Sequence, residues 1–124
     1  MSLSFVLNGK LPSGKNAVVV TRSGYRFPAK RFTVWRADAL VQLQAQCDGY
    51  PQPMRSKLKM IVDYTPGDAR VRDVAGMMDA ICHLLERSGL IESDGLIRSC
   101  EWHEFPMDRD CPHARVTLQP IQIV

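Results

Sequence analysis

Between Lys57 and Leu85 the apolar residues change their spacing, and that change constrains the fold more than any other feature of the chain. In KLKMIVDYT (57–65), Leu58, Met60, Val62 and Tyr64 alternate with Lys57, Lys59 and Asp63, the period of a half-buried strand. In the stretch that follows, Val74, Met77, Met78, Ile81, Leu84 and Leu85 share one face of a helical repeat. The turn PGDARVR (66–72) joins the two. A strand must therefore feed a helix through an arginine-rich corner, and Gly89 supplies the helix stop.

The rest of the chain follows the same logic. LSFVLNG (3–9) reads as a strand ended by Asn8-Gly9. Residues 10–30 form an irregular or hairpin segment with AVVV as a short strand. From Arg31 to about Cys47, Phe32, Trp35, Ala39, Leu40 and Leu43 make one apolar helical stripe, broken by DGYPQP. IRSCEWHEF (97–105) and ARVTLQPIQI (114–123) read as closing strands. The expected fold is α+β, a small mixed sheet with two main helices packed on it, in one domain over 1–124. At 45% hydrophobic the chain has enough for a core. No apolar run approaches the ~20 residues of a membrane span. The start lacks the basic and apolar regions of a signal peptide. Four cysteines without a C-x-x-C pair read as reduced thiols. Together these lead to the expectation of a cytoplasmic protein.

Net charge is +3 but uneven. Residues 1–72 carry twelve Lys/Arg against four Asp/Glu, and residues 73–124 four against nine. A basic half suits a polyanion, and a carboxylate-rich half suits a cation. Two halves that intermingle on folding into a mixed solvated surface give the same count.

Two acids frame the central helix. Asp73 sits where turn and helix meet, and Asp94 lies past the helix end in ESDG. A helix over this stretch is about 24 Å long, so the two meet only if the chain folds back along it. The segment YTPGDARVRDVAGMMDAICHLLERSGLIESDGLI, with the opening LNGKLPSGKN…GYRFPAKRFTVW, resembles the RusA family of Holliday-junction resolvases over most of the chain. The shared order is a strand, an arginine-rich turn, an acidic helix start, a helix and an acidic residue before the next strand. That resemblance implies a small α+β homodimer that binds branched, four-way DNA. It also implies an endonuclease that nicks phosphodiester bonds with Mg²⁺ or Mn²⁺ in recombination and repair.

On the resemblance, Asp73 and Asp94 match catalytic, metal-holding aspartates, and Arg70 and Arg72 match basic turn residues. Ala75, Gly76 and Asp79 stand where the family has Asp, Asn and Lys, and His83 replaces a further Asp. Asp79 is then expected as a substitute ligand and His83 as an outer-shell partner. The missing carboxylate and lysine make a DNA-binding protein with weakened or lost cleavage the alternative expectation. Lys10, Lys15, Arg22, Arg26, Lys30, Arg31, Arg70 and Arg72 are expected to track phosphates, with Tyr25 and Phe27 stacking on unpaired bases. Plainer readings stand beside these. Asp73 serves as a helix N-cap, Asp94 as a turn residue, and Asp79 and His83 as a solvated pair opposite the apolar face. Cys100, His103, Cys111 and His113 fit no usual zinc framework.

Overall fold

The computed structural model describes residues 2–12, 18–20, 22, 26–28, 30–48, 53–70 and 72–121. Along them run β1 (Leu3–Asn8), β2 (Val18–Val20), β3 (Arg26–Pro28), α1 (Lys30–Cys47), β4 (Leu58–Thr65), α2 (Val74–Ser88), β5 (Ile97–Glu104) and β6 (His113–Pro120). The α+β architecture follows: a four-stranded mixed sheet in the order β1-β6-β4-β5, with both helices packed on it. The AVVV strand is β2, which pairs with β3 as a separate antiparallel hairpin.

β4 is central. It pairs antiparallel with β6 and parallel with β5. Its alternation is borne out, because Leu58, Met60, Val62 and Tyr64 are fully buried while the residues between them are half-buried. β6 supplies Ala114, Val116 and Leu118 to the same core, and β1 supplies Leu3, Phe5 and Leu7. A parallel pair cannot be closed by a tight turn, so the chain must cross back over the sheet between β4 and β5. α2 is that crossover. Its buried residues Met77, Ile81, Leu84 and Leu85 lie on the expected stripe, joined by Gly76 and Ala80. Gly89 ends it in the left-handed conformation, φ 80°, with its N–H donating to the Glu86 carbonyl 3.1 Å away.

α1 buries Phe32, Ala39, Leu43 and Cys47. It also closes one edge of the sheet. The Gln46 amide accepts from the Val6 N–H at 2.7 Å and donates back to the Val6 carbonyl at 2.7 Å. The Asn8 N–H donates to Gln42 Oε1, also at 2.7 Å. Two side-chain amides thus take the place of a neighbouring strand along β1, an edge that would otherwise be left unpaired. Among the described residues no strand pairs with the outer side of β5.

Gln46→Ala removes both bonds to Val6. A loss of about 1–2 kcal/mol is expected, read as a lower urea midpoint at unchanged slope. Gln46→Glu keeps the acceptor and loses the donor, and should fall between the two.

Candidate functional site

The corner between β4 and α2 is built around Asp68. Its carboxylate accepts from the Arg70 N–H at 3.1 Å, closing a tight side-chain turn. The same carboxylate pairs with Lys10 at 3.2 Å and with Arg72. Arg72 is held further by its own corner: Nη1 donates to the Arg70 carbonyl at 2.8 Å and Nη2 to the Asp68 carbonyl at 2.6 Å. Its guanidinium lies 5.9 Å from the centre of the Tyr64 ring. The Arg72 side chain is only 15% exposed. Gly67 lets the corner seat closely, since a Cβ there would come within 3.3 Å of Lys10 and Pro112.

Hydrogen bonding from the Arg70 N–H, reinforced by Lys10 and Arg72, holds the Asp68 carboxyl below its ordinary 3.8. A depressed carboxyl contributes above its unfolded pKa and loses that contribution as pH falls through the folded value. The Asp68 brace is therefore complete at neutral pH and released only in acid below 3.8.

This corner forms one wall of a cleft of about 420 Å³. Lys10, Arg31, Arg70 and Arg72 line it with Asp68 and Asp73, over a floor that includes Trp35, Tyr64 and Met77. Four cations thus face two acids, and one of those acids is already paired with Lys10 and Arg72. Arg31 and Arg70 are exposed and make no ion pair among the described residues. Asp73 occupies the N-cap position of α2, yet its side chain makes no capping bond; only its carbonyl engages the helix, accepting from the Met77 N–H at 3.1 Å. The plain N-cap reading of the Asp73 carboxylate therefore does not hold. The residue lines the basic cleft.

The other expected site residues lie elsewhere. Asp94 opens a short 3₁₀ turn, Asp94–Leu96, capped by Ser93, whose Oγ accepts from the Gly95 N–H. The Asp94 N–H donates to Glu86 Oε1 at 3.1 Å. Glu86 lies about 20 Å along the α2 axis from Asp73. The sheet register agrees: Ile97 pairs beside Leu58 at the start of β4, whereas Asp73 follows the end of β4. One chain therefore holds Asp73 and Asp94 at opposite ends of the parallel pair, and the fold-back along the helix does not bring them together.

Asp79 is half-buried, about 9 Å along the helix from Asp73, and does not line the cleft. His83 is half-buried as well, with Nε2 3.4 Å from Arg36 Nη1 and its ring 6.1 Å from that of Phe32. The expected solvated Asp79–His83 face is thus only partly open to water, because α1 brings Arg36 and Phe32 against His83. Among the described residues no group of three or more His, Cys, Asp or Glu is placed to hold a metal ion. Asp73, Asp79 and Asp94 of one chain do not fit a divalent centre. Cys47, Cys82, Cys100 and Cys111 form no disulfide.

Of the remaining cations, Arg22 and Lys30 are exposed. Lys15, Tyr25 and the side chains of Arg26 and Phe27 lie outside the described residues. No helix among the described residues is long and apolar enough to cross a membrane. Sequence reasoning missed Asp68 as the brace of the corner. The four-residue spacing from Asp68 to Arg72 and the turn-forming GDAR were the available signals. Compared with known proteins, the chain matches no family model and no curated protein sequence.

Asp68→Asn should remove the carboxylate that Arg72 and Lys10 share, leaving Arg72 only its two backbone carbonyls. Amide exchange at residues 68–73 is expected to speed up at pH 7, and the gap between wild type and variant should close only in acid below the ordinary carboxyl value of 3.8, as the Asp68 carboxylate of the wild type takes up its proton.

Proposed function

We propose that this chain binds the phosphate backbone of branched DNA through the cleft at the β4–α2 corner. The observation that carries the reading is the convergence of Lys10, Arg31, Arg70 and Arg72 on one concave surface, drawn from three separate parts of the chain. Phosphate contacts set position and affinity and make binding sensitive to salt. The cations divide their work. Arg70 and Arg31 have donors to offer a phosphate. Arg72 spends its donors on the corner and contributes charge and shape. The resemblance to RusA-type resolvases supports a four-way junction as the branched form. Asp73, uncommitted to its helix, is the acid that such a backbone would meet in the cleft.

A second reading is metal-dependent nicking of the same DNA, as the resemblance implies. What favours it is Asp73, whose side chain makes no capping bond, among the residues that line a cationic cleft. What limits it is the position of Asp94 at the far end of the parallel pair. Cleavage through both acids requires a homodimer in which one copy's Asp73 meets the other's Asp94.

A gel shift with a labelled four-way junction and a linear duplex tests the first reading. Preference for the junction is expected, with affinity falling steeply as salt rises. Arg70→Ala should lower the salt slope by about one and leave the melting temperature unchanged. Arg72→Ala should lower both affinity and melting temperature. Equal, salt-insensitive binding of both DNAs removes the proposal. For nicking, Asp73→Asn and Asp94→Asn proteins are assayed alone and after being unfolded and refolded together in Mg²⁺ or Mn²⁺. Activity restored only in the mixture supports a site shared between copies. Absence of cleavage by the wild type leaves binding alone.

A further inference from the structure

On the other side of the Arg70–Arg72 corner lies a second hollow, of about 330 Å³. Arg70 and Arg72 line it too, so it shares a wall with the cleft. Its opposite wall is different in kind. Phe105 and Met107 line it, and they are 50% and 45% exposed, among the few large apolar side chains in the described fold that face water. Their exposure is built in rather than left over from a loose loop. The Phe105 N–H donates to the Tyr64 carbonyl and the Asp108 N–H to the Pro66 carbonyl, both at 2.8 Å. These bonds fasten the segment that leaves β5 to the end of β4 and hold the two side chains at the rim. Glu104, the last residue of β5, lines the same hollow.

We infer that this hollow is a subsite for one unpaired nucleobase, with Phe105 as the stacking platform and Arg70 as the holder of the attached phosphate. The inference rests on the reading of the cleft as a backbone-binding surface. An apolar plate alone would suit many partners. An apolar plate sharing its arginine with a phosphate-binding cleft suits a ligand with an anion at one end and a flat π-face at the other. A nucleotide has that form, and an aromatic side chain beside a cationic track is the usual arrangement for holding unpaired bases. A branch point is where duplex DNA offers such a base. Met107 widens the plate with a polarizable side chain. The Glu104 carboxylate, an acceptor only, would favour base edges that present an N–H.

The test compares a ten-nucleotide oligothymidylate with an abasic phosphodiester of the same length, on wild type, Phe105→Ala and Phe105→Trp. Phe105 is half-exposed, so truncation should leave the fold intact, and circular dichroism checks this. Wild type is expected to bind the base-bearing strand about five-fold or more tighter than the abasic one. Phe105→Ala should abolish that difference while leaving abasic affinity unchanged, and Phe105→Trp should restore it. An alanine variant that keeps the preference overturns the subsite, and so does one that weakens both strands equally. Junction binding by the wild type is measured in parallel. If the junction binds and the base preference is absent, the subsite fails and the cleft stands. If neither strand nor junction binds, the cleft reading fails and takes the subsite with it.

Discussion

The parallel pairing of β4 with β5 dictates the arrangement of the rest. Two parallel neighbours must be joined by a crossover, and α2 is long enough to carry the chain from one end of β4 back to the other. The residues just after β4 and those just before β5 are then separated by the length of a strand. The basic corner belongs to the first group, and the turn at Asp94 to the second. Once the strands are parallel, the chemistry of one chain is concentrated at the corner end of the sheet.

At that end, electrostatics is spent in two ways. The Asp68 carboxylate and two backbone carbonyls absorb Arg72, so that one cation stiffens the corner. The rigid corner then presents Arg70 to solvent from a fixed backbone. A flexible arginine loses conformational freedom when it grips a phosphate; one held on a braced turn loses less. The pairing of Lys10 with Asp68 works similarly, tying the segment after β1 to the segment after β4. These residues are far apart in sequence, and both line the cleft.

The elements themselves were legible in the amino-acid order. Alternation at Leu58–Tyr64 and the helical stripe from Val74 to Leu85 report burial directly, because each side chain's environment is set by its own place in a regular repeat. Relations between elements were not legible. Nothing in the spacing of Asp73 and Asp94 reveals whether the strands beside them run parallel or antiparallel, yet that choice decides whether the acids are near or far. His83 misleads for a related reason: it lies off the main stripe of α2, and only the position of α1 makes that flank an interior seam. Asp73 looked like a cap because the type of residue was right. Its backbone takes the position, but its side chain does not make the bond.

The two edges of the sheet are unequal, and this sets a limit on assembly. Gln42 and Gln46 occupy the Val6 N–H and C=O and the Asn8 N–H on the outer side of β1, which a further strand would need. β5 has no such guard among the described residues. Filament growth requires two adhesive rims on every unit, one to receive and one to offer. Among the described residues, the rim of this sheet left open is that of β5. The glutamine seal on β1 therefore works against end-to-end growth by strand addition at that rim.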